Sequence, residues 1–173
     1  VAATVILALS LRAHSQTLVW SDNITFFTHA VSITRHNRIA SHNLVLAHKD
    51  VGDKLFDENR LDEAIYHFRK ALAIDPRMAM IHRKTVAYIR NRLGTAYGMQ
   101  GKFCLAREQF LAALQADKDC VDALCNLTKM ALDAGNLPEA IRYAERANRI
   151  APNNPAVRRA VAVVNSLRPA DSR

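Results

Sequence analysis

Apolar residues recur along most of the chain with the period of a helix, and from residue 43 onward the pattern repeats itself. Three segments superimpose: Asp62 to Ala71, Leu105 to Ala113 and Pro138 to Ala147. Each carries a small residue, an apolar residue four later and an alanine three after that. The three sets are Ala64, Phe68, Ala71; Ala106, Phe110, Ala113; and Ala140, Ala144, Ala147. On a helix these positions form one stripe, and alanine lets a neighbouring helix approach closely. Five residues before each first alanine stands Asn59, Gly101 or Gly135, residue types that tolerate positive φ and let a chain reverse at a helix end. Upstream of each turn lies another apolar stripe: Val51-Gly52 and Leu55, Leu93-Gly94 and Tyr97, Leu127-Thr128 and Ala131. The repeating unit is helix, tight turn, helix.

The units are unevenly spaced. Ala64 and Ala106 are 42 residues apart, whereas Ala106 and Ala140 are 34 apart. The extra residues fall between Met78 and Arg90, where Val86, Ile89, Leu93 and Tyr97 continue one stripe. That predicts a first helix lengthened by about two turns. Ile39, Leu44, Val51 and Leu55 predict a similar lengthening one unit earlier. Pro138 sits near a helix start, where a missing N–H does no harm. Asp75-Pro76 and Ala151-Pro152 mark helix ends, with Lys118 in place of proline in the middle copy. After Pro155, the segment Ala156 to Leu167 carries Val157, Val161 and Val164 opposite Arg158 and Arg159, as a helix capping a solenoid would.

This pattern resembles the tetratricopeptide repeat. The resemblance implies an all-α fold, a right-handed superhelix (solenoid) of antiparallel helix pairs. It covers residues 45–154 in three units at about 45–78, 87–120 and 121–154, followed by a capping helix over 155–168 and a tail over 169–173. The third unit departs most, with Thr128 for the glycine and Ala131 for the bulky residue. In such repeats the first helices line a concave groove that holds a peptide or protein segment. The groove positions here are Lys49, Asp53 and Phe56, then Tyr88, Asn91 and Thr95, then Asp122, Cys125 and Lys129. Some relatives clamp a peptide's terminal carboxylate with lysines and asparagines. Lys49 fits that use, but Asp53 replaces an asparagine and Asp122 a lysine, so a carboxylate clamp is not expected.

The chain opens on Val1 rather than methionine, which reads as an internal or processed start. Residues 1–19 begin with an apolar run from Val1 to Leu11, too short by itself to cross a bilayer. It reads either as the end of a membrane helix or as a first buried helix. Residues 20–44 read as a degenerate repeat or linker. There Ser21 and Asp22 suit a helix cap, Phe27, Ala30 and Ile33 form a stripe, and Trp20 is expected to pack under the first helix pair. The order of these features resembles the region joining the last membrane helix to the repeats in protein O-mannosyltransferase-like and transmembrane-and-tetratricopeptide glycosyltransferase proteins. It covers residues 1–76, with Phe26 and Arg35 departing from the usual leucine and proline. That resemblance implies a membrane-associated protein with its repeats on the non-cytoplasmic side and any catalytic acid upstream. The alternative is a free-standing cytoplasmic adaptor.

Composition narrows the chemistry. The chain has 24 basic and 16 acidic residues, a formal charge of +8, which favours acidic partners through its long-range field. Nucleic-acid binding through Arg83, Arg90, Arg92, Arg142, Arg146 and Arg149 is the weaker reading, since it lacks interleaved aromatics and a recognition motif. No phosphate loop, nucleophile elbow or metal-binding helix motif is present, so no catalytic residue, metal or cofactor is assigned. The histidines at 14, 29, 36, 42, 48, 67 and 82 show no i, i+4 pairing and read as surface or packing residues. Cys104, Cys120 and Cys125 are too sparse for a disulfide framework and read as small buried residues. The function expected is a protein-interaction scaffold and not an enzyme.

Overall fold

The computed structural model describes residues 23–34, 37–74 and 82–168. Trp20, the apolar run, Asp75-Pro76 and the tail lie outside the described residues. Eight helices occur among the described residues: α1 (Asn23–Ile33), α2 (Arg38–Asp57), α3 (Leu61–Ala73), α4 (Arg83–Met99), α5 (Phe103–Ala116), α6 (Val121–Asp133), α7 (Leu137–Ile150) and α8 (Pro155–Leu167). No strand is present among the described residues. None of these helices is long and apolar enough to cross a membrane.

Helices α2 and α3, α4 and α5, and α6 and α7 form three hairpins. Each second helix also packs on the first helix of the next hairpin, and α8 covers the last pair. The chain reverses through Asn59, Gly101 and Gly135, with φ of 59°, 73° and 70°. Asn59 is the non-glycine residue in this left-handed region among the described residues, a role asparagine fills more readily than most side chains. Side-chain caps start three helices. Asn37 Oδ1 accepts from Ala40 N, Asn136 Oδ1 from Glu139 N, and Asn154 Oδ1 from Ala156 N. Each satisfies a helix-terminal N–H that would otherwise lack an intrahelical partner. Helix α2 runs 20 residues and α4 runs 17, against 13 for α6. Helix α2 is thus longer than α6 by about two turns, as inferred, whereas α4 is longer by about one turn, and Met78 to Ile81 lie outside the described residues.

Close approach within each hairpin decides which residues can sit at its centre. A Cβ on Gly52 would lie 2.7 Å from Phe68 Cε1, and one on Gly94 would lie 2.7 Å from Phe110 Cε1. Phe68 is fully buried and Phe110 is 4% exposed, so neither ring can swing into solvent. Each ring occupies the space a side chain on the facing helix would need. In the third hairpin the large–small pairing is relaxed on both sides. Thr128 stands where the glycine was, Ala144 stands where the phenylalanine was, and both are buried. Thr128 Oγ1 donates to Leu124 O at 2.8 Å, which satisfies a hydroxyl that burial would otherwise strand. The departure of the third unit is thus a compensated exchange.

Two sequence expectations fail. The stripe of Phe27, Ala30 and Ile33 is not buried: α1 has no buried residue, and Ile33 is 66% exposed. Among the described helices it packs chiefly against α2, which leaves much of its stripe open. Cys104 is exposed rather than packed, because it precedes the buried stripe of α5 that begins at Ala106.

Gly52→Ala is expected to lower unfolding free energy by about 1–3 kcal/mol, since overpacking against a fixed ring outweighs the helix-propensity gain. Gly98→Ala meets only Ala106 Cβ at 3.9 Å and should gain up to about 1 kcal/mol. Urea melts of both variants check the pair; equal effects would refute the packing argument.

Candidate functional site

Successive first helices touch directly, α2 with α4 and α4 with α6, whereas α3 and α5 have less contact with each other. The inner, shorter side of the stack is therefore the side of α2, α4 and α6. Side chains spaced three or four apart on these helices share that face.

Between α2 and α4 the face carries a charged network. Asp53 lies at its centre. It receives Lys49 Nζ at 3.0 Å, Arg92 Nε at 2.9 Å and the Tyr88 hydroxyl at 3.0 Å. Arg92 also donates to Asp57 at 2.9 Å, and its guanidinium lies 4.1 Å from the centre of the Phe56 ring. The Lys49 ammonium sits 5.0 Å from the centre of the Tyr88 ring. Burial pulls the Lys49 and Arg92 pKa values down, but the hydrogen bonds that Lys49 donates to Asp53 and Asp50, and Arg92 to Asp57 and Asp53, more than offset it, and both stand above their ordinary values. Burial pushes the Tyr88 phenol up, and its bond to the Asp53 carboxylate pushes it further. Both groove cations therefore remain charged, and both are already neutralised by carboxylates of the chain itself.

Between α4 and α6 the centre of the face is an amide pair rather than an ion pair. Asn126 Nδ2 donates to Asn91 Oδ1 at 2.9 Å. That leaves the Asn91 amide N–H groups and the Asn126 carbonyl oxygen without a partner among the described residues. Thr95 spends its hydroxyl on Asn91 O of its own helix at 3.0 Å. Thr95, Asn126 and Lys129 share a cavity of about 250 Å³ with Met99, Phe103 and Met130. Asp122 is exposed and Cys125 half-buried. Burial, then the Asp122 charge, raises the Cys125 thiol pKa and keeps it protonated and unreactive.

The structure thus gathers Lys49, Asp53, Phe56 and Tyr88 into one cluster, and places Asn91, Thr95 and Lys129 beside a second. Sequence reasoning missed Asp57, Arg92 and Asn126. Asp57 lies four residues after Asp53 on the same helix, a spacing that would have flagged it. The link through Arg92 spans 39 residues and left no local signal. Nor do the arginines collect on one face. Arg90 bonds Gln109, Arg92 bonds acids, and Arg146 bonds the Lys118 carbonyl. Positions 90 and 92 point about 200° apart around one helix.

Histidines form pairs that no local spacing predicted. His48 Nδ1 and His67 Nδ1 lie 3.0 Å apart across α2 and α3. The rings of His42 and His82 stack with centres 4.0 Å apart. A ring-nitrogen hydrogen bond needs one donor and one bare acceptor, so at least one member of the first pair is neutral. No group of three potential metal ligands converges among the described residues.

Residues 91–155 match a tetratricopeptide repeat family model, and residues 52–85 match a second TPR repeat model. The chain carries tetratricopeptide repeats. Its fold is accordingly an all-α helical-repeat solenoid. No curated protein sequence matches the chain. Among solved structures it is similar to the C-terminal TPR-containing domain of a Plasmodium falciparum FK506-binding protein, with TM-score 0.63 and 22% identity over 80% of this chain and 98% of that one. It is also similar to the second TPR domain of human RPAP3 in complex with the HSP70 peptide SGPTIEEVD, with TM-score 0.61 and 20% identity over 72% and 98%. The first TPR of Spaghetti (RPAP3), bound to the HSP90 peptide SRMEEVD, gives TM-score 0.61 and 22% identity over 70% and 90%. At such identities the likeness shows the fold alone.

Burial lowers the pKa values of His42, His48 and His67 below the ordinary 6.5, with added repulsion from His82 at His42 and from His67 and Lys70 at His48. The Glu63 carboxylate partly opposes the shift at His67. The unfolded chain therefore takes up protons first as pH falls below about 6.5, and the stability present above that value is progressively lost. Thermal melts from neutral pH to about pH 5 should show a falling Tm. The double variant His48→Leu, His67→Leu should show a shallower fall; an identical slope would refute the assignment.

Proposed function

We propose that the chain is a protein-interaction scaffold that holds an extended peptide or protein segment along the inner face of α2, α4 and α6. The observation that carries this reading is the Asn91–Asn126 pair. Its spare N–H donors and spare carbonyl acceptor complement the C=O and N–H of a peptide backbone. Two of the similar solved structures were determined with peptides bound, which is compatible with this use of the fold.

The neutralised cations shape the selectivity. A free carboxylate approaching Lys49 or Arg92 meets Asp53 and Asp57 first, and displacing a formed ion pair yields little net gain. The groove is therefore suited to segments recognised through their backbone and apolar side chains at this end, rather than through a terminal carboxylate. In isothermal titrations with the peptide SRMEEVD, the chain should bind weakly, and Asp53→Asn should bind about tenfold more tightly, a gain of about 1.4 kcal/mol. Asn91→Ala should weaken both. Wild-type binding as tight as that of Asp53→Asn would overturn the reading.

The same proposal retains the setting suggested by residues 1–76: the repeat region of a membrane glycosyltransferase-like protein, on the non-cytoplasmic side. It rests on sequence resemblance alone. In intact cells, a protease tag placed after Leu167 should be protected from cytoplasmic protease. Cleavage without membrane permeabilisation would favour the cytoplasmic adaptor instead.

A further inference from the structure

The outer side of the stack carries a second candidate surface, distinct from the groove. Because the repeats are closer on the inner side, the second helices α3 and α5 splay, and a cleft of about 730 Å³ opens between them. That volume lies within the roughly 300–1,000 Å³ of typical ligand clefts. Its apolar floor is Ile65 and Tyr97, with Tyr66 and Leu105 on the walls. Tyr66 is 55% exposed and Leu105 40% exposed, large apolar surfaces that are left open among the described residues.

Its charge is lopsided. Arg69 and Lys70 stand on the α3 wall and Lys102 faces them from the start of α5, against a single acid, Asp62. Asp62 is already engaged by Gln100 Nε2 at 2.9 Å, and Lys102 Nζ donates to Gln100 Oε1 at 2.8 Å. Lys70 Nζ lies 5.4 Å from the centre of the Tyr66 ring. Neither Arg69 nor Lys70 has a carboxylate partner among the described residues, unlike Lys49 and Arg92 of the inner groove. A helix C-terminus alone accounts for one such cation, but not for three converging on a cleft with an apolar floor.

We propose that this cleft docks an acidic linear peptide segment, one bulky apolar side chain resting on Tyr66 and Leu105 and flanking carboxylates pairing with Arg69, Lys70 and Lys102. The dimensions support an extended chain. The α3 wall from Asp62 to Ala73 is about 17 Å long, the span of about five extended residues. A bilayer surface cannot enter a cleft of this shape. One exposed aromatic is too few for the successive base stacking that single-stranded nucleic acid uses. The chain can thus engage two segments at once, one on each side.

The test uses the 173-residue chain, labelled for amide NMR, and the capped pentapeptide Glu-Glu-Leu-Glu-Glu as probe. Shifts are expected at Tyr66, Arg69, Lys70, Lys102 and Leu105. Replacing the probe's leucine by serine should weaken binding several-fold, and the double reversal Arg69→Glu, Lys70→Glu should weaken it about tenfold. These side chains are exposed, so circular dichroism should be unchanged. Lys102→Glu provides an independent variant should the double reversal disturb folding. Arg159→Glu, exposed on α8 and outside both surfaces, should leave probe binding intact. Binding that survives both outer reversals, shifts confined to α2, α4 and α6, or tighter binding of a short oligothymidylate to the same cleft would each overturn the proposal. Failure of the inner-groove reading leaves these outcomes unaffected.

Discussion

The approach of two helices to within the width of a ring governs this molecule. In the first two hairpins a phenylalanine ring occupies the place a side chain would need on the facing helix, so that position must be glycine. The contact sets the separation within a hairpin, and the separation sets how the next hairpin stacks. Phe68, Leu93 and Ile89 share one cluster, and Phe110, Leu124 and Val157 the next. Each hairpin thus buries its apolar face only by lending it to a neighbour, as repeat architectures require. The third hairpin, with Thr128 and Ala144 buried at the corresponding positions, shows that the glycine–phenylalanine pairing is not the only way to fill a hairpin centre.

Close packing on one side has consequences on both surfaces. The first helices are drawn together, so charged groups from α2 and α4 meet and neutralise one another around Asp53. The second helices are held apart, so Arg69, Lys70 and Lys102 line a cleft with one acid, Asp62, and Arg69 and Lys70 have no carboxylate partner among the described residues. The same backbone geometry thus leaves Lys49 and Arg92 paired on one face and gathers less-paired cations on the other. A net charge of +8 is not spread evenly in effect.

Local features were legible in the sequence, and long-range polar ones were not. Asn59, Gly101 and Gly135 announced their turns because residue type constrains φ directly. The alanine stripes announced the packed faces because helical periodicity is local, and the 42-residue spacing revealed the long α4. The groove positions came from the resemblance to the tetratricopeptide repeat, carried onto those helices. What escaped were contacts joining residues far apart in the chain. His48 and His67 are separated by 19 residues, and Arg92 and Asp53 by 39. Neither residue type nor spacing encodes such meetings; only the stacked geometry creates them. The stripe on α1 failed for the opposite reason. Its pattern was locally sound, but among the described helices it packs chiefly against α2.

The measurement that bears most directly on the central claim is amide hydrogen exchange on the chain with and without a peptide selected from a random library for binding it. The account predicts added protection along the inner-face residues of α2, α4 and α6, centred on Asn91 and Asn126. A selected peptide that leaves those helices unprotected and instead slows exchange only at α1 or α8 would contradict it.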